Sequence, residues 1–288
     1  MLDVMLSFWP SIVLLSIAQG ALVALPAPLR GERLAGLRSG RWALIPPLSV
    51  VAFVFITRAA EHASADGLTY LALVCVPLLA ALALGVLARG ARAPAALLVI
   101  PLFALAWADH GALPGQAAAL SLTGLSCVSL GVLLAAVTPP RWLAWGIVLM
   151  ALADTALVTA DLLQRPNNAL NAAHPVAGLP RLQSAVLGSA VMGYGDLFIA
   201  AAFGALLASE LGLAEQLRAA LLVAVLALLF DLLFLAVDEL PATVPVALAL
   251  VLVAVSRRRR GLQPLPSAPP ARRLRPARAD PVRRPLAP

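Results

Sequence analysis

Two aspartates lie where charged side chains are scarce. Asp196 closes the tetrapeptide Gly193-Tyr194-Gly195-Asp196, inside an apolar run from about Leu182 to Ala208. Asp154 lies inside the apolar run before it, about Trp142 to Leu163. A carboxylate at the centre of a bilayer costs about 2.5–3.5 kcal/mol on the mildest insertion scale. Chains keep such groups where they face one another or a water-filled cavity, so intramembrane acids are candidate functional groups. Two carboxyls brought close cannot both ionise cheaply, and the pair shares a proton. One member can then take a proton from water while the other donates to a carbonyl oxygen, which is aspartic-protease chemistry.

The elements that must position this pair are helices in a membrane. The chain has 288 residues, of which 61% are hydrophobic and 12% charged, with a mean hydropathy of +0.94. That composition excludes a soluble domain and indicates an all-α polytopic membrane protein. Apolar runs separated by Gly, Pro and charge predict about nine transmembrane helices: Val4–Leu25, Trp42–Thr57, Leu68–Ala88, Ala95–Ala108, Ala117–Val137, Trp142–Leu163, Leu182–Ala208, Leu217–Val237 and Ala242–Val255. The fourth and ninth are short for a full span. Asp154 and Asp196 then fall near the middle of the sixth and seventh spans, which run antiparallel. Gly193 and Gly195 remove side chains on either side of Tyr194, which allows close helix approach and loosens the helix.

Charge sets the expected orientation. All 21 basic residues are Arg. They concentrate in the odd-numbered loops and after the ninth span, at Arg257–Arg260. The positive-inside rule places those loops and the C-terminus in the cytoplasm and the N-terminus outside. Loop six, with Arg165 and Arg181, runs against this pattern and is outweighed by the basic C-terminal segment. The composition suggests a GC-rich bacterial genome, hence a multi-pass protein of the bacterial inner membrane. The chain divides into a five-helix region at 1–140, a four-helix region carrying both aspartates at 141–256, and an Arg/Pro-rich tail at 257–288. The tail is expected to be disordered. Its charge suits anionic lipid of the inner leaflet, and no nucleic-acid partner is expected.

These features resemble the presenilin and signal peptide peptidase family of intramembrane aspartyl proteases. Gly193-Tyr194-Gly195-Asp196 matches the family's GxGD motif on its seventh helix. Asp154 takes the place of the first aspartate on the sixth. Pro241-Ala242-Thr243 opens the ninth span, where the family has Pro-Ala-Leu. The similarity covers about Trp142 to Val255, and the N-out orientation is that of signal peptide peptidase. The resemblance implies a presenilin-like helix arrangement, with Asp154 and Asp196 catalytic. It implies that Gly193, Tyr194, Gly195, Pro241, Ala242 and Thr243 contact a transmembrane peptide substrate, with no metal or organic cofactor. Two positions depart from the family: Ala153 replaces the tyrosine before Asp154, and Thr243 replaces the leucine of the third motif.

Other readings of the same residues stay open. A potassium-channel filter also contains Gly-Tyr-Gly-Asp, but needs a Thr where Val191 stands and a break after Asp196 where Leu197-Phe198-Ile199 continues. Prepilin peptidases are also GxGD proteases, usually with Lys following the motif at the cytoplasmic face. A proton-coupled carrier is the third alternative. A third central carboxylate, Asp231 on the eighth span, supports it, and a hydrogen bond between Asp231 and a neighbouring helix accounts for that residue equally well. Asp161, one heptad after Asp154, is expected on the same helix face near the outer surface. Cys75 and Cys127 lie in apolar runs with no ligand spacing and read as small buried hydrophobes. His62, His110 and His174 fall in three separate loops and read as solvated.

Overall fold

The computed structural model describes residues 8–29, 32–173, 175, 178–237 and 239–262, without the side chains of residues 32, 33, 35, 61 and 62. The helices are α1 (Phe8–Ala24), α2 (Ile45–Ala59), α3 (Glu61–Leu82), α4 (Val99–Ala108), α5 (Leu113–Val137), α6 (Pro140–Thr159), α7 (Gln164–Ala172), α8 (Tyr194–Glu210), α9 (Leu213–Asp231) and α10 (Val244–Arg259). Short 3₁₀ segments lead into α2 and α4, and another extends α9 to Leu235. Between α7 and α8 lies one antiparallel hairpin, β1 (Ser184–Leu187) and β2 (Ala190–Gly193). Among the described residues the protein is thus helical apart from the hairpin and one isolated bridge between Pro26 and Ala88. Among the described residues, five helical segments are long and apolar enough to cross a membrane: Gly40–Ala59, Ala63–Leu87, Leu113–Val137, Pro140–Thr159 and Leu213–Leu235. Phe8–Ala24 and Ala93–Ala108 are shorter apolar helices.

The core forms around α8. Every residue from Ile199 to Ala208 is buried, as expected for a helix that is apolar on all sides. It packs against α5 and α1, and touches α6, α9 and α10. Small residues permit this density. A methyl group added at Gly204 would meet the Val23 carbonyl oxygen of α1 at 2.3 Å, and one at Gly131 of α5 would meet the Ala201 backbone of α8 at 2.7 Å. Backbones this close hold by van der Waals contact, which drives helix association where lipid removes the hydrophobic gain. The buried core is continuous from Ile12 to Val253 and so crosses the 140/141 boundary.

Three expectations need correction. The run from Leu182 to Ala208 is not one helix, because its first third folds back as the β1–β2 hairpin. Gly188 takes φ +57° at the first position of the two-residue turn, the sign that a type II′ hairpin turn requires. Asp161 is not on the face of α6. The helix ends at Thr159, and Asp161 has φ +52° in the turn that follows. Arg257–Arg259 are not part of a disordered tail, since they form the last turn of α10, where cations suit the helix dipole. The rest of the expected tail, from 263 on, lies outside the described residues.

α7 is an element that the sequence reading left as loop. It is polar and amphipathic, and packs against α2 and α3. α10 begins at Val244, with Pro245 in its first turn, where a missing N–H is tolerated.

Candidate functional site

Asp196 is the third residue of α8, after Gly193 as the capping position. Its Oδ2 accepts a hydrogen bond from the Gly193 backbone N–H at 3.1 Å. This is the reverse half of a capping box, and it satisfies a donor that would otherwise be orphaned at the helix start. A methyl group on Gly193 would stand 3.0 Å from Asp196 Oδ2, so a larger residue there would shift that carboxylate. Asp196 therefore sits in the first turn of its helix, not in the middle.

Asp154 lies in the last two turns of α6 and is buried. Its Oδ2 accepts a hydrogen bond from the Thr243 hydroxyl at 2.7 Å, and the Thr243 backbone N–H also faces that carboxyl. The end of α6 and the start of α8 meet. Met150, one turn before Asp154 on the same face, places its Cε 3.4 Å from where a methyl group on Gly195 would stand. Asp154 and Asp196 thus stand on packed neighbouring helices, near enough for one to act electrostatically on the other. Glu239 is a further charge acting on Asp154, and accepts a hydrogen bond from Asn167 of α7 at 3.0 Å.

The remaining motif residues are placed as follows. The Tyr194 hydroxyl is 2.8 Å from Ser126 Oγ of α5, which anchors the ring to the scaffold. Pro241, Ala242 and Thr243 lead into α10 beside the end of α6, and Thr243 is fully buried. The Ala242 carbonyl accepts from Gln19 Nε2 of α1 at 2.8 Å. Asp231 is apart from the pair: its Oδ2 accepts a hydrogen bond from Ser16 Oγ of α1 at 2.5 Å. Of the three histidines, His174 and the side chain of His62 lie outside the described residues. His110 is exposed, with Nδ1 3.2 Å from the Trp107 carbonyl.

Gln19 and Asn167 belong to the surroundings of the site but carry no motif. A buried glutamine in an apolar helix was the available signal for Gln19; only tertiary placement identifies Asn167. The hairpin is the third unforeseen feature. It ends at Gly193 and so brings to Asp196 a strand in which Val191 and Gly193 are exposed while Ala190 and Met192 are buried. Its pairing sets Leu187 opposite Ala190 and Ala185 opposite Met192. In the alternation of an antiparallel pair this turns the backbone N–H and C=O of Val191 away from β1.

No protein-family model, no curated protein and no solved structure matches this chain.

Proposed function

We propose that the protein is an aspartyl hydrolase whose two carboxyls come from neighbouring membrane helices. More particularly, it is an intramembrane endopeptidase of the signal peptide peptidase type, cutting transmembrane segments or remnant signal peptides. The observation that carries this reading is the packing of α6 on α8 near Met150 and Gly195, which brings Asp154 and Asp196 to the same junction with the segment before α10. With one proton shared between them, the ionised carboxyl takes a proton from water as the water oxygen bonds to the scissile carbonyl carbon. The carbonyl π pair moves to its oxygen, which takes the proton held by the other carboxyl. Collapse of the resulting diol breaks the C–N bond. The amine nitrogen leaves with the proton taken from water, and a diol proton returns to the pair.

A substrate helix must unwind before its carbonyl carbon can be reached, because helical hydrogen bonding occupies its backbone. β2 supplies a template for the unwound segment, since the outward groups of Val191 can pair with an added strand. Cleavage of a single-span reporter in liposomes tests this. The wild-type protein is expected to cut within the reporter's apolar segment. Val191→Pro removes one outward N–H and leaves the β1–β2 ladder intact. It is expected to lower kcat/KM by about 3- to 10-fold, the worth of one neutral hydrogen bond. A wild-type rate in Val191→Pro would remove the hairpin from substrate binding, and an intact reporter with the wild type would remove the protease.

The same reading places about nine spans in a bacterial inner membrane, with the N-terminus outside and the C-terminus cytoplasmic. The Arg257–Arg260 cluster supports that orientation, and anionic lipid is the partner proposed for the basic segment beyond it. A C-terminal fluorescent-protein fusion is expected to be bright and an alkaline-phosphatase fusion inactive; the reverse pair would invert the topology. Proton-coupled transport is the weaker reading, because Asp231 is bound to Ser16 and not to the Asp154–Asp196 pair.

A further inference from the structure

Thr243 occupies a position where the resembled family carries leucine, a side chain that can donate nothing. Here the side chain is fully buried and its hydroxyl donates to Asp154 Oδ2. The backbone N–H of the same residue faces the same carboxyl. The segment that carries Thr243 is itself held. Pro241 restricts the backbone just before it, and Gln19, buried in α1, donates to the Ala242 carbonyl. Three elements therefore converge on one oxygen: α1 holds the segment before α10, that segment holds Asp154 Oδ2, and α6 supplies the carboxyl.

We propose that Thr243 is a positioning residue for Asp154, holding one oxygen of that carboxyl by a hydrogen bond from its buried hydroxyl. The proposal rests on the two-aspartate reading. A buried carboxyl with one oxygen fixed has its plane fixed, so the other oxygen, Oδ1, keeps one direction. Orientation of this kind lowers a barrier only if it is set before the substrate arrives. A hydroxyl committed to Asp154 in the substrate-free protein meets that condition. It also makes Thr243 unavailable to a substrate side chain, which separates its role from that of Val191 in the hairpin. The charged groups acting on Asp154 are Asp196 of α8 and Glu239 of the segment before α10.

The test is a set of three variants assayed with the full-length protein and the single-span reporter. Thr243→Val keeps the shape and the backbone N–H but removes the hydroxyl. Its kcat is expected to fall about 10- to 100-fold, the range for a hydrogen bond to a charged group, with KM unchanged. Thr243→Ser restores the donor and is expected to recover most of kcat. A wild-type kcat in Thr243→Val, or a rise in KM in place of the loss in kcat, overturns the proposal.

Thermal stability gives a readout that does not need activity. Thr243→Val is expected to lower the melting temperature in the wild-type background and to leave it nearly unchanged in an Asp154→Ala background, since the stranded carboxyl is then absent. Equal shifts in both backgrounds overturn the proposal even if cleavage is lost. Background-dependent shifts in a wild-type protein that cleaves nothing keep the Thr243–Asp154 contact and reject the protease.

Discussion

Asp196→Asn and Asp154→Asn are each expected to lose cleavage of a transmembrane reporter by roughly 10²–10⁴-fold or more, the range lost with one general acid or base. Both proteins should remain folded, for a reason visible in the hydrogen bonds. Asp196 Oδ2 accepts from the Gly193 N–H and Asp154 Oδ2 accepts from the Thr243 hydroxyl. An asparagine carbonyl oxygen can accept the same bonds. Loss of activity without loss of the melting transition is therefore the signature expected of both. Asp231→Asn should keep its cleavage rate, because that carboxyl serves Ser16 at the α1–α9 contact. Retained cleavage in Asp196→Asn would remove that residue from the chemistry.

A large effect on stability is expected at Gly204, in the middle of the fully buried stretch of α8. A methyl group added there would stand 2.3 Å from the Val23 carbonyl oxygen and 2.8 Å from the Val23 carbonyl carbon. Both obstacles are backbone, so no rotamer change relieves the clash, and α1 and α8 would have to separate. Gly204→Val should exceed the ~1–3 kcal/mol usual for an overpacked core. Gly67, inside α3, is the matched control, since nothing lies within 4 Å of the added atom. Gly67→Ala is expected to be neutral or stabilising, by up to ~1 kcal/mol, because alanine loses less backbone entropy in a helix. Melting curves in detergent check both variants. A Gly204→Val protein as stable as wild type would show that the α1–α8 crossing is wrong.

The helices were legible because lipid leaves few options for a chain this apolar: runs of Leu, Val and Ala broken by Arg or Pro become helices in a bilayer. The boundaries of α5 and α6 follow from Pro114 and from Pro139-Pro140, which mark chain turns in any environment. The hairpin was not legible for the converse reason. Ser184–Leu187 and Ala190–Gly193 are short apolar runs, and periodicity cannot assign such runs to strand or helix. Gly188-Ser189 between them was a usable turn signal. That signal is not specific in a chain of this kind, because glycine is common within membrane helices. The position of Asp196 along its helix was misjudged for the same reason, since counting began at Leu182 and not at Tyr194.

At the site, the sequence pointed to both carboxyls through their isolation in apolar surroundings. It also pointed to the Pro-Ala-Thr segment through its order in the chain. It could not show that the Thr243 hydroxyl donates to Asp154, because a hydroxyl's partner 89 residues away in the chain is set by tertiary packing. Gln19 and Asn167 were hidden for a related reason. A buried amide announces that some partner exists, but the Ala242 carbonyl and Glu239 lie far away in the chain.

The central claim is that the carboxyl pair hydrolyses a peptide bond within the membrane. The most direct measurement uses purified protein in liposomes with a single-span reporter, following fragments by mass spectrometry and internal pH by a trapped dye. Wild type should give two fragments cut within the apolar segment, Asp196→Asn should give none, and neither should move protons. An intact reporter with wild type, together with a proton flux that disappears in Asp231→Asn, would contradict the account and favour a carrier.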